Sequence, residues 1–219
     1  HWMAMAAQLS LPQTHSKPAT RPSPRPPIAA RPSEISVTQI KTLIRDPYAI
    51  YASKVLRLKT LDPLTPEADA PLRGIIIHAI LEEFIGSTPD ANDPTALSQL
   101  METAARHFAD QCPWPTIRAQ WMARMEKIAP VFLAAEALRQ AKGALEISEG
   151  WGEMHMPSIG MCITCKADRI DMTPENTALI YDYKTGTVPT KEVQEKFDKQ
   201  LLAEAVMVSR GAFKDLGEK

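Results

Sequence analysis

The chain has 219 residues, enough for one domain with a sizeable core, and its composition (44% hydrophobic, 23% charged) is that of an ordinary soluble protein. Twenty-five basic against 26 acidic side chains leave a net charge of −1, which excludes an overall electrostatic pull toward nucleic acid and leaves only local clustering to supply one. No apolar run reaches bilayer-spanning length, since the stretch from Ile75 to Ile85 is broken by His78, Glu82 and Glu83; with no visible signal peptide and an odd three cysteines, reduced thiols and a cytoplasmic location are expected.

His1 to Ala6 reads as a cloning remnant, and residues 1–32 as that remnant followed by a Pro-rich basic linker. From Leu11 to Pro32 there are seven prolines and the cations Lys17, Arg21, Arg25 and Arg31, with no acid before Glu34. Such a segment has no apolar period and favours an extended tether, here a spacer to something upstream. Residues 33–219 read as one domain. Ser36-Val37-Thr38-Gln39 has the capping-box pattern, and Ile40, Leu43 and Ile44 follow at helical spacing. Asp46-Pro47 interrupts that helix, and Tyr48 to Leu58 resumes it.

After a loop from Thr60 to Pro71, Arg73 to Ile85 reads as a mostly apolar helix in which His78 shares the stripe of Leu81 and Ile85. A histidine there is by itself an ordinary hydrogen-bonded core residue. Asp93-Pro94 opens a packing helix from Thr95 to Asp110, organised on Leu97, Leu100, Ala104 and Phe108. Cys112-Pro113-Trp114-Pro115 is a rigid connector to a long helix, Thr116 to Lys142, ended by Gly143 and expected to kink at Pro130. Trp114 and Trp121 are assigned to packing rather than to base stacking.

Ile147 to Met156, Met161 to Asp171 and Ala178 to Gly186 alternate as three strands of a meander, with Thr173-Pro174-Glu175-Asn176 as a turn of hairpin length. On the third strand Asp182 and Lys184 share one side, Tyr181 and Tyr183 the other. Antiparallel pairing can set Asp168 beside Asp182, whereas Asp171 takes the opposite face; Glu153 on the first strand reads as a solvent-facing acid, with an additional outer ligand as the alternative. Two carboxylates and a lysine converging at a strand end can hold a hard cation such as Mg²⁺ and orient a water toward a phosphoryl group. An isolated D-x-K triplet is equally the signature of a solvated surface pair. Thr190 opens a final helix with Val193, Phe197, Leu201, Ala205 and Val208 along its stripe and Gln200 at the border. Past Arg210 no closing strand or helix is visible, so truncation is expected.

Ser36-x-Thr38-x-Ile40, Arg73-Gly74-x-x-x-His78-x-x-Leu81-Glu82, Ala167-Asp168-Arg169-Ile170-Asp171, Asp182-Tyr183-Lys184-Thr185-Gly186 and Gln200-Leu201 together resemble the RecB-type branch of the PD-(D/E)XK nuclease superfamily. Within that branch they look most like the AddB-type nuclease domains of bacterial helicase–nuclease complexes that process double-strand breaks. The resemblance covers roughly Ser33 to Arg210.

It implies an α+β fold, a restriction-endonuclease-like mixed sheet flanked and elaborated by helices. It also implies a Mg²⁺- or Mn²⁺-dependent deoxyribonuclease of DNA repair and recombination. His78, Asp168 and Asp182 would hold the metal, with the Tyr183 carbonyl as a further oxygen. Lys184 would position the attacking water, and Gln200 would steady Lys184 or the DNA. The implied partners are single-stranded DNA and the helicase subunit of an AddAB-type complex.

Two positions depart from the pattern. Asp46 stands where relatives carry a cysteine of an iron–sulfur cluster, and Glu204 where they carry a tyrosine four residues after the glutamine. Cys162 and Cys165 fall on opposite strand faces and Cys112 supplies only a third sulfur, so neither a cluster nor a structural zinc is expected. Two alternatives stay open: a catalytically silent nuclease-fold domain that binds or guides DNA, and a small-molecule phosphoesterase, which the lack of a nucleotide-cradling loop disfavours.

Overall fold

Residues 1–11, 17–61, 63–87 and 89–216 are described by the structure, a computed structural model. The first nine-residue element is a helix (α1, Trp2–Ser10), where the sequence reading had only a remnant. Residues 17–32 are almost wholly exposed and hold one short 3-10 turn, Ile28–Ala30, as a proline-rich tether should.

The capping box at Ser36 forms as its residue types dictate. Ser36 Oγ accepts from Gln39 N at 3.3 Å and Gln39 Oε1 accepts from Ser36 N at 3.1 Å. It joins a short strand (β1, Glu34–Ser36) to a helix (α2, Val37–Arg45). The break falls at Asp46-Pro47, where Asp46 Oδ1 caps the next short helix (α3, Pro47–Ile50) through Ala49 N. That helix does not resume to Leu58 as expected; Tyr51–Val55 is a π-type turn. Ser53 Oγ donates to the carbonyls of Ala49 and Ile50 within it, and such back-bonding competes with the helical ladder.

Three helices then build one layer: α4 (Ala70–Gly86), α5 (Ala96–Gln111) and α6 (Pro115–Gln140). Ile76, Ile80 and Phe84 of α4 pack against Leu100, Ala104 and Phe108 of α5 and Trp121, Met125, Ala129 and Leu133 of α6. Trp121 is 6% exposed and Trp114 lines the edge of this core, so both pack as expected. α5 begins at Ala96 because the Asp93 carboxylate holds Thr95 N and Oγ1 in a turn, which sends Ala96 inward and Leu97 outward, against the expected stripe. Between α4 and α5, Arg106 and His107 donate to Glu83 and hold its carboxyl down to about 2.

The sheet is mixed. β2 (Ala144–Met156) and β3 (Met161–Met172) form a long antiparallel pair. On the other edge of β3, β1 pairs in parallel at Cys162 to Thr164 and β4 (Ala178–Tyr181) pairs antiparallel at Arg169 to Met172. Ile147, Cys165, Ala167 and Ile170 pack with Val37 of α2 and with Met207 and Phe213 that follow, while α4 to α6 cover the opposite side at the β4 end.

The strand alternation breaks at Glu149, a non-glycine residue with φ of 54°. A Cβ on Gly150 would lie 2.1 Å from Ile147 Cγ2, so positions 147 and 150 face the same way although three residues apart. The flip carries Glu149 toward α4.

The expected single C-terminal helix is two helices, α7 (Lys191–Lys196) and α8 (Gln200–Ser209). The break lies where Asp198 accepts both Gln200 N at 3.4 Å and Lys41 Nζ at 3.1 Å, restarting the helix and tying it to α2. α8 consequently buries Glu204 and Met207, while Leu201, Leu202 and Val206 are exposed. Past Arg210, Phe213, 2% exposed, bridges to Gly152, and Lys214–Leu216 form a 3-10 turn. Among the described residues no helix is long and apolar enough to cross a membrane.

Candidate metal centre

His78 from α4, Glu149 from β2 and Asp168 from β3 meet at one point. His78 Nδ1 lies 3.4 Å from Glu149 Oε1 and 3.7 Å from Asp168 Oδ1, and one ligand atom from each of the three falls within 4.8 Å of the others. One local feature allows the approach: the left-handed turn at Glu149 redirects its side chain.

One imidazole nitrogen and two carboxylates are a donor set suited to a hard or borderline divalent cation such as Mg²⁺ or Mn²⁺. The electrostatics fit as well. Burial pushes the Asp168 carboxyl above its ordinary value and Asp182 and Glu149 push it further; the Tyr183 N–H and His78 pull it back. A bound cation would relieve that crowding of negative charge. Lys166 Nζ closes the far side of the group, 2.8 Å from Glu149 Oε2.

Asp182, Lys184 and Gln200 form an adjoining half. β4 ends at Tyr181, so Asp182 and Lys184 lie past the ladder and do not owe their shared direction to the strand pleat as expected. The cause is Tyr183: its N–H donates to Asp168 Oδ2 at 2.6 Å instead of to a neighbouring strand. Its ring packs near Phe132, and its phenol oxygen accepts from Arg169 Nη1 at 3.4 Å.

Lys184 Nζ reaches Asp182 Oδ1 at 2.8 Å and Oδ2 at 2.7 Å, and Gln200 Oε1 at 3.2 Å. Gln200 Nε2 donates to Asp182 Oδ1 and to Glu204 Oε1, each at 3.1 Å. Glu204, the departure from tyrosine, is thus buried behind Gln200 and also accepts from Cys165 Sγ at 3.4 Å. Burial raises both the Glu204 carboxyl and the Cys165 thiol. A cleft of about 300 Å³ opens beside Lys184, lined by Thr38, Lys41, Thr187 and Gln200.

His78, Asp168, Asp182, Tyr183, Lys184 and Gln200 therefore all fall in this region, but the three-ligand group contains Glu149 where the sequence pattern points to Asp182. Asp182 stands close enough to Asp168 to raise its carboxyl, while its oxygens are taken by Lys184 and Gln200. Glu149 escaped notice because it was read through as one position of an alternating strand. The available signal was Glu149-Gly150, a glycine inside a strand run, which marks a bulge or bend.

Asp171 stays away from the centre as expected and instead pairs with Arg169, whose Nε and Nη2 donate to it at 2.6 and 2.9 Å. Glu153 accepts from Trp151 Nε1 at 2.8 Å. Cys112 is buried among α4 to α6, and Cys162 and Cys165 lie on β3.

Residues 34–219 match the sequence profile of the PD-(D/E)XK nuclease superfamily. An uncharacterized protein of Rickettsia bellii (strain RML369-C) is 31% identical over 186 residues, covering 83% of this chain and 22% of its own length. Uncharacterized proteins of Rickettsia conorii (31% over 191 residues, 83% and 23%) and Rickettsia typhi (32% over 192 residues, 83% and 22%) are similar in the same way. The chain spans less than a quarter of the length of these curated relatives. With a mixed sheet, flanking helices and an acid–lysine constellation on the matched segment, the chain belongs to the PD-(D/E)XK nuclease superfamily.

Proposed function

We propose that this domain is a metal-dependent deoxyribonuclease that hydrolyses phosphodiester bonds of single-stranded DNA. One observation carries the reading. The His78–Glu149–Asp168 group and the Asp182–Lys184–Gln200 group are joined through the Tyr183 N–H on Asp168, which sets a cation-ready donor set beside a fixed ammonium.

His78, Glu149 and Asp168 would hold Mg²⁺ or Mn²⁺, with Asp182 and the Tyr183 carbonyl as nearby oxygens. The ion, when bound, supplies Lewis acidity toward a phosphoryl oxygen and lowers the pKa of a coordinated water. Lys184, kept in place by Asp182 and Gln200, orients the attacking water and balances the negative charge that grows on the phosphate. Gln200 fixes the Lys184 ammonium, and Glu204 fixes Gln200 in turn.

The resemblance of the motif blocks to AddB-type domains, and relatives more than four times as long as the matched segment, support as a proposal a place in a cytoplasmic helicase–nuclease of double-strand break repair. There it would receive strands from a helicase subunit.

The test incubates end-labelled single-stranded DNA with Mn²⁺ and compares the parent with Lys184→Ala. Removing one preorganised electrostatic group is expected to lower kcat by about 10²- to 10³-fold. Equal rates for the two proteins would refute the assignment of Lys184.

A further inference from the structure

At the edge of the metal centre, Lys166 has a cross-strand partner whose exposure the centre does not explain. Trp151 on β2 and Lys166 on β3 are cross-strand partners, one register step beyond Gly150 and Ala167. Trp151 is 53% exposed, and the Lys166 side chain 54% exposed. The contrast with Trp121 and Trp114, which pack into or against the helical core, is plain. Yet the Trp151 indole is not loose, because its Nε1 donates to Glu153 Oε1 at 2.8 Å and fixes the ring over the sheet.

The pair is also physically continuous with the centre. Lys166 Nζ sits 2.8 Å from Glu149 Oε2, and Trp151 follows Glu149 by two residues, an advance of about 6.8 Å along a strand. That is the scale of one nucleotide step in a stretched single strand. An exposed indole beside an ammonium is the combination that takes a base on its π-face and a phosphate on its cation. Glu149 and Glu82 near Lys166 and Glu153 at Trp151 offset the ammonium, so a strand here is held by stacking on the indole, which needs an unpaired base, more than by phosphate attraction.

We propose that Trp151, with Lys166 beside it, is a stacking subsite for an unpaired base of the DNA strand, one nucleotide from the scissile phosphate. The inference rests on the nuclease reading for its substrate but reads binding, not cleavage.

The experiment measures anisotropy of a labelled oligo(dT) in Ca²⁺ for the parent, Trp151→Ala and Trp151→Phe, with a blunt duplex as control. Stacking predicts about 5- to 100-fold weaker oligo(dT) binding by the alanine variant, most of it recovered by phenylalanine, and less than about threefold change on the duplex. Binding by Trp151→Ala within twofold of the parent, an equal loss on the duplex, or no recovery with phenylalanine would overturn it. The two readings separate cleanly. Trp151-dependent binding without any cleavage in Mn²⁺ keeps the subsite and sinks the nuclease, whereas cleavage by Trp151→Ala at the parental KM does the reverse.

Discussion

Asp168→Asn is expected to lower Mn²⁺-dependent cleavage by about 10³-fold or more without destabilising the metal-free fold. Asp168 touches both halves of the centre: Oδ1 faces His78 Nδ1 at 3.7 Å, and Oδ2 accepts the Tyr183 N–H at 2.6 Å. Asparagine can keep one of those acceptors but not both, because its amide nitrogen would point a donor at a donor or remove a metal oxygen.

The stability sign follows from burial, which raises the Asp168 carboxyl above its ordinary value. A raised folded pKa means that the ionised form is disfavoured by the fold, so this group's contribution to stability falls as pH rises through that value. Near neutrality the uncharged amide removes the cost. Mn²⁺ at about 100 times its Kd should stabilise the parent by about 2.7 kcal/mol, a rise of about 5 to 10 °C in Tm for a chain of this size. The asparagine variant should lose most of that rise. Thermal melts with and without Mn²⁺, run beside cleavage assays, check both halves; an Asn variant that keeps the metal-induced rise would contradict the role given to Asp168.

The largest stability effect is expected at its neighbour. Arg169 is 1% exposed and sits among buried acids, donating to Asp171 at 2.6 and 2.9 Å and to Glu136 of α6 at 2.6 and 2.7 Å. This network fastens the helical layer to β3 one residue from Asp168, and through the Tyr183 phenol it reaches the loop that carries Asp182. Arg169→Met leaves the buried Asp171 carboxylate without its hydrogen-bonded cation and Glu136 with Arg139 alone, 3.2 Å away, which costs about 3 to 5 kcal/mol. The corresponding drop in Tm is about 6 to 20 °C. Adding Glu136→Gln and Asp171→Asn should recover much of the loss, because the penalty lies in the stranded charges. Urea denaturation of the single and triple variants measures this, and a single variant within about 1 kcal/mol of the parent would show that the network is not the clamp described here.

What could be read from the residues follows from which signals are local. The Ser36 capping box, the Asp46-Pro47 break and the inward Leu81–Ile85 stripe of α4 depend on neighbours in sequence, and they formed where expected. Glu149 did not show itself because strand reading assumes unbroken alternation, and one left-handed residue inverts it. The same assumption extended β4 through Lys184, whereas the Tyr183 N–H leaves the ladder for Asp168, a partner 15 residues away. Apolar periodicity runs α7 and α8 together because it does not register the turn in which Asp198 accepts Gln200 N at the start of α8. At the centre, the approach of Asp168 to His78 is a tertiary fact, set by how α4 lies on the sheet.

The most direct test is a crystal structure with Mn²⁺ bound, the ion located by its anomalous scattering. The account predicts one strong peak within coordination distance of His78 Nδ1, a Glu149 oxygen and a Asp168 oxygen, with the Lys184 ammonium still held by Asp182 and Gln200. An ion bound by other side chains, with His78 and Glu149 both clear of it, would contradict the account.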